Sequence, residues 1–251
     1  MKNKILQFAP IIGVLVIVLV WQILCSIINA EIIMPNIGAT LKNLISIFAK
    51  KSFYKSIISC LLRVFISFSL ALIIAVLCAI LSNLSRVFER ALYPLIIVVR
   101  AVPTMSIIFL CLIWFNSKIS PIVVAFTVSF PILYANIISR IKACDKQIIE
   151  MSTVYCVPKK VQIFQFFLPT VVKNCYDETV ATLSFTVKLV ISAEALARTR
   201  ESLGFSMTVA KEGLETAELF AYTLVCVLLS FLLEFVFKLI KKAVEKKYGR
   251  N

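Results

Sequence analysis

A chain of 251 residues that is 61% hydrophobic and only 16% charged lies far from a soluble domain, where about 45–50% and 25% are usual. Its mean hydropathy of +0.97 excludes disordered, secreted disulfide-rich and ordinary cytosolic enzyme classes and leaves a polytopic membrane protein. The net charge of +14 then bears on topology rather than on nucleic acid, because Lys and Arg resist translocation.

A spanning helix needs about 20 mostly apolar residues, and six stretches meet or approach that. The first covers about residues 8–30 and carries only Gln22 as a strongly polar side chain. Its apolar core is too long for a removable leader. Residues 31–60 follow, with Ile37, Leu41, Leu44, Ile45 and Phe48 at helical spacing, and are expected to lie along the outer surface. The second span covers about 62–81, with Arg63 at its outer edge; the third, about 91–115, holds Arg100 and Pro103. The fourth covers about 119–139 and holds Pro121 and Pro131. Both Pro103 and Pro131 are expected to kink their helices.

Residues 140–170 are too charged to span, yet Ile148, Ile149, Val154, Val161, Ile163, Phe164, Phe166 and Phe167 lie among the charges. An apolar face on such a loop is expected to dock a partner. The fifth span, about 171–193, opens with Lys173, Asn174, Asp177 and Glu178 and holds Lys188 in its second half. A segment that polar faces a cavity or a partner helix. The sixth covers about 219–240, with Glu234 near its end.

With the N-terminus in the cytoplasm, sixteen of the 27 cations fall on cytoplasmic segments and eight outside. That two-to-one bias predicts N-in, C-in. The eight cysteines show no CxxC spacing, and the chain has no His. They read as buried or cytoplasmic thiols rather than as a disulfide framework or a zinc site.

Several polar residues in the spans need a reason to be there. Arg100 lies about 12 Å into the third span at 1.5 Å per residue. It either contacts an anionic solute or pairs structurally. Lys188 is expected to face a central pathway. Glu194 lies roughly 120° from it in azimuth and reads as an outer-mouth residue, a gate or docking contact, against simple solvation. Ser106, Asn116, Ser184 and Thr186 are candidate cavity polars, although such hydroxyls more often bond their own helix or a neighbour.

The loop DKQIIEMSTVYCVPKKVQIFQFFLP resembles the "EAA" loop of membrane subunits of ABC importers: Glu-Ala-Ala, three residues, Gly, nine residues, Ile-x-Leu-Pro. Glu150 takes the first position, Cys156 the glycine, Phe166 the isoleucine, and Leu168 with Pro169 the closing pair. Met151 and Ser152 replace the alanines. Cys156 in place of glycine alters a bend that would use positive φ. Upstream, Ser59 with Arg63-Val64, then Tyr93-Pro94-Leu95, Arg100-x-x-Pro103 and Trp114-Phe115 resemble permeases of the nitrate/sulfonate/taurine and thiamine-precursor type. Downstream, Lys188, Ala193-Glu194 and Gly204 resemble that group's Trp-Lys-x-x-x-x-Ala-Glu … Gly stretch, with Phe185 departing from the nearby tryptophan.

The resemblance covers about residues 59–242 and implies an all-α type I ABC importer permease fold with six transmembrane helices and a cytoplasmic coupling-helix loop at 144–170. A first helix and outer segment (1–58) precede this core, and a basic tail (243–251) follows. The resemblance also implies a cytoplasmic ABC ATPase, an extracytoplasmic solute-binding protein and a second, identical permease chain in the bacterial inner membrane. Asp145, Glu150, Ser152, Cys156, Pro158, Lys159, Leu168 and Pro169 would couple to the ATPase, while Lys159 and Lys160 equally serve topology. Arg100, Ser106, Ser184, Lys188 and Glu194 are the pathway candidates. No GxxxxGK[ST] is present, so ATP is expected on the partner ATPase, with no cofactor, metal or nucleic acid on this chain. The expected solute is small and polar, with an anionic sulfonate or a vitamin precursor favoured by the intramembrane cations.

An integral-membrane enzyme would want clustered Asp or His ligands, but the acids here are scattered. The alternative transport reading is a stand-alone ion-coupled secondary transporter. That class places acids in broken helices at the midplane, whereas Glu234, Asp177 and Glu178 lie near span ends.

Overall fold

The computed structural model describes residues 2–143, 151, 154, 155, 157, 158, 161, 162 and 175–248, the side chains of 2–11 and 244–248 excepted. Among the described residues the chain is helical, without strands. The elements are α1 (Lys2–Ile28), α2 (Ile37–Ala49), α3 (Lys51–Leu84), α4 (Arg86–Ala101), α5 (Thr104–Trp114), α6 (Ser120–Lys142), α7 (Tyr176–Leu196), α8 (Leu203–Glu212) and α9 (Thr216–Tyr248).

Local chemistry sets several of these boundaries. Asn36 Oδ1 accepts from the Gly38 and Ala39 amides at 2.7 and 3.3 Å and starts α2. Ser85 starts α4 and Ser202 starts α8 through their Oγ atoms, which accept from Phe88 N at 3.3 Å and Phe205 N at 3.1 Å. Such caps satisfy amides that a helix start leaves open. Helix ends usually use glycine in the left-handed region, but this sequence has only five glycines. Arg198 at φ 48° and Leu214 at φ 56° take that conformation after α7 and α8 instead. The amides of Thr199 and Glu215 then reach back to the carbonyls of Glu194 and Ala210 at 3.0 and 2.9 Å.

Among the described residues four helices are long and apolar enough to cross a membrane: α3, α6, α7 and α9 through Ala243. The count becomes five if the bent pair α4–α5 is taken as one span, and α1 adds a shorter apolar stretch, Ile12–Ile28. The third span is therefore corrected: it is not one kinked helix but two helices meeting at 99°. Pro103 drives the preceding residue out of the helical region, and Val102 is extended at φ −70° and ψ 128°. By contrast α6 continues through Pro131. Residues 51–60, expected to lie along the surface, instead begin α3. That helix has 34 residues and is about 51 Å long at 1.5 Å per residue.

The core is a slab of α3, α6 and α7, with α9 against α7 and α8. Ala71, Ala75 and Ala79 on α3 are all fully buried and turn toward the α6 core residues Ala125, Leu133, Tyr134 and Ile137. Small residues four apart let two helices approach closely, which is how spans associate where lipid removes the hydrophobic drive. Polar ties add register: Ser82 Oγ meets Tyr134 Oη at 2.9 Å, and Ser129 Oγ meets Thr186 Oγ1 at 2.9 Å. Enlarging this stripe with Ala75→Leu is expected to cost about 1–3 kcal/mol by overpacking. Thermal unfolding of the purified variant in detergent checks it, with a leucine at lipid-facing Ile73 as the neutral control.

Of the eight cysteines, Cys60, Cys111 and Cys175 are buried and Cys25, Cys78 and Cys226 half-buried. Cys144 and Cys156 lie outside the described residues.

Candidate functional site

α7 organises the candidate site. From 176 to 195 its exposed residues are Asp177, Ala181, Phe185, Lys188 and Ser192, and every other position is buried or half-buried. At about 100° per residue these five fall within about 80° of azimuth. The helix thus exposes side chains along one narrow stripe, its other positions being buried or half-buried. Lys188 lies about 18 Å along a helix of about 32 Å, and among the described residues it has no ion-pair partner. A lone ammonium at that depth requires water or a counter-charge before it.

The remaining candidates divide between this face and the scaffold. Arg100 is exposed in the last turn of α4, where a cation complements the helix C-terminus. Ser106 is exposed in the first turn of α5, so the two flank the bend at Pro103. Ser184 is half-buried, and its Oγ donates to the Ser230 carbonyl on α9 at 3.4 Å. Thr186 is fully buried and donates to the Thr182 carbonyl at 2.7 Å. Asn116 caps the turn before α6, its Oδ1 accepting from Lys118 N at 3.2 Å and Ile119 N at 3.0 Å. Ser184, Thr186 and Asn116 therefore make helix-to-helix or local backbone bonds.

For Glu194 the structure removes simple solvation: its side chain is fully buried and pairs with Arg63 Nη1 at 2.7 Å. Its other oxygen accepts from Gly204 N at 3.3 Å. The carboxylate thus holds α7 to α3 on one side and to the start of α8 on the other. Gly204 has no room for a side chain, since a Cβ there would lie 2.4 Å from Ile191 O and 2.5 Å from Ala195 N. Thr208 Oγ1 reinforces the junction by donating to the Ala195 carbonyl at 3.1 Å, and Thr199 Oγ1 donates to the Ser117 carbonyl at 2.6 Å. Sequence reading placed Arg63 at a span edge and did not pair it. The available signal was energetic: two opposite charges inside apolar spans each need a partner.

Of the coupling residues, Pro158 is described; Asp145, Glu150, Ser152, Cys156, Lys159, Leu168 and Pro169 lie outside the described residues. The Pro158 carbonyl accepts from Gln162 N at 3.1 Å, and Gln162 Nε2 donates to the Val157 carbonyl at 2.9 Å. Met151, Val154 and Tyr155 expose apolar surface. Arg140 on α6, which leads into this loop, pairs with Glu178 on α7, which leads out of it, and Lys142 ties α6 to Glu89 on α4. No cluster of metal-binding side chains occurs among the described residues.

Apolar spanning helices around a small-residue seam and a broken span define an integral-membrane protein of the all-helical class. Residues 71–250 match the family described as the binding-protein-dependent transport system inner membrane component, and the chain belongs to it: it is a multi-pass permease component of an ABC importer rather than an enzyme. The chain is similar to the formylaminopyrimidine transport permease protein ThiX of Halalkalibacterium halodurans, with 21% identity over 171 residues, 68% of each chain.

Proposed function

We propose that this chain is the pore subunit of an importer that moves a small polar solute inward, driven by a separate cytoplasmic ATPase and supplied by an extracytoplasmic binding protein. The observation that carries the reading is the α7 stripe: a helix whose other positions are buried or half-buried presents along one narrow line a Lys188 with no ion-pair partner among the described residues. Two identical chains with these stripes face to face enclose a wet path, and closure of the ATPase pair turns that path from inward- to outward-facing. The 144–170 loop seats on the ATPase, with the exposed Met151, Val154 and Tyr155 as part of the apolar contact. Both termini lie in the cytoplasm on the cation bias.

The solute reading follows from side-chain chemistry. Lys188 offers a charge to an anionic group, and Phe185 on the same stripe offers a ring face to a flat heterocycle. A sulfonate or a vitamin precursor fits this pair, and the similarity to ThiX, a formylaminopyrimidine transport permease, supports the second.

Purification in mild detergent from the native cells tests the assignment. An ATPase is expected to co-elute in stoichiometric amount and to be lost from a Glu150→Ala/Pro158→Ala variant that still runs as a folded dimer. A preparation that transports with no ATPase present would overturn the reading and point to ion coupling.

A further inference from the structure

On the far side of α7 from the Lys188 stripe, an apolar trough of about 260 Å³ runs between α3 and α9. Phe68, Leu72 and Val76 form one wall and Phe237 the other, with Val180 and Leu183 as its floor. Its α7 positions, Tyr176, Thr179, Val180 and Leu183, are centred about 150° in azimuth from the stripe. A helix that faces water on the stripe side therefore turns the trough toward lipid. Along α3 the trough extends eight residues, about 12 Å, close to the half-thickness of a hydrocarbon core about 30 Å deep.

One end of the trough is basic. Phe237 and Lys241 lie one helical turn apart on α9, and Lys241 Nζ sits 5.5 Å from the centre of the Tyr176 ring. Tyr176 Oη donates to the Phe237 carbonyl at 2.6 Å and closes that rim. Asp177, the first residue of the stripe, reaches round α7 to hold Lys241 with contacts of 2.9 and 2.8 Å, so the rim borders the stripe at this end. Lys238, paired with Glu234, and Lys242 are exposed beside it. By sequence α9 continues with Lys246 and Lys247 against Glu245 alone. With Lys241 and Lys238 paired, the surplus positive charge of the rim is Lys242 and, by sequence, the lysines that follow; apolar walls of one leaflet's depth beneath it fit an acyl chain carrying an anionic headgroup.

We propose that this trough seats an acyl chain of an anionic phospholipid whose phosphate lies against Lys241 and Lys242, bracing α9 against α3 on the lipid side of the permease. The inference rests on the reading of the Lys188 stripe as the pathway face, and the test separates the two. In a background with Trp21 and Trp114 replaced by phenylalanine, one variant carries Phe237→Trp in the trough and a second carries Phe185→Trp on the stripe. Each is reconstituted in phosphatidylcholine vesicles containing a small fraction of phosphatidylglycerol, with bromine on the chains of one lipid or the other.

The Phe237→Trp protein is expected to lose most of its emission, saturably, to the trace brominated phosphatidylglycerol. Adding Lys241→Gln and Lys242→Gln raises the amount needed for half-quenching about tenfold or more, as two cations near an anionic headgroup require, while Lys241→Arg leaves it unchanged. Quenching that simply follows the bulk proportion of brominated lipid, whatever its headgroup, overturns the proposal. So does no quenching by either lipid, which would mean that another helix or a second copy fills the trough. The Phe185→Trp protein should be quenched by neither lipid. If bulk lipid quenches it, the pathway reading fails, whatever the trough does.

Discussion

Replacing Glu194 by alanine is expected to lower the stability of the permease by about 3–5 kcal/mol, the cost of leaving one partner of a buried ion pair alone. Arg63 is only 9% exposed, and without the carboxylate its guanidinium faces apolar side chains. Gly204 N loses its acceptor as well. Arg63→Ala should cost a similar amount, because it strands the fully buried carboxylate. Glu194→Gln keeps an acceptor oxygen for only one of the two donors, turns an amide NH2 toward the other and leaves Arg63 without a counter-charge, so it should recover only a small part of that loss. The paired replacement Arg63→Met with Glu194→Leu removes both charges together and should recover most of the loss, since apolar residues of similar volume often replace a buried pair without penalty. Thermal unfolding of the four purified variants in one detergent checks this. Equal loss in the single and paired variants would mean that packing, rather than charge, governs the junction.

The second large effect is expected at Gly204. Its added Cβ in Gly204→Ala would approach Ile191 O to 2.4 Å, Ala195 N to 2.5 Å and Glu194 Cβ to 2.7 Å. Two of the three are α7 backbone atoms, which cannot swing aside as a flexible side chain can. Relief comes only by lifting α8 off α7, which also draws the Gly204 amide away from Glu194. Overpacking of this kind costs about 1–3 kcal/mol and occasionally more. Gly213→Ala is the matched control, because its nearest contact would be 3.4 Å. Limited trypsin digestion at Arg198 and Arg200, in the loop between α7 and α8, should accelerate in the first variant and not in the second. Unchanged digestion in both would show that the loop holds without the glycine contact.

The two effects converge on residues that carry part of the family resemblance, and they show what the sequence could and could not reveal. Ala193-Glu194 and Gly204 were legible as a pattern, but their purpose was not. Glu194 and Arg63 lie 131 residues apart, and no local periodicity encodes that pairing. The spans were legible because twenty apolar residues have few other uses, and their placement survives in α3, α6, α7 and α9. The break at Val102–Pro103 was visible only as a proline; whether a proline bends a helix or ends it depends on what packs around it. Pro131, inside a continuous α6, shows the other outcome. α8 escaped notice because LGFSMTVAKE is short and weakly amphipathic, and its docking surface lies on another helix. The orientation of Lys188 could be argued from cost alone, whereas the trough behind α7 depends on the separation of α3 and α9, which no single segment contains.

The elbow between α4 and α5 carries an obligation for the whole assembly. A helix that stops leaves its final carbonyls without intrahelical partners, and the helix that follows leaves its first amides so. At the surface of a soluble protein water would fill those vacancies at little cost. Inside hydrocarbon each unmet group costs several kcal/mol, and irregular backbone at that depth survives only where protein or a water-filled space covers it. A break placed at such a depth therefore needs protein or water over Val102–Pro103 to supply the partners that the two helix ends lack.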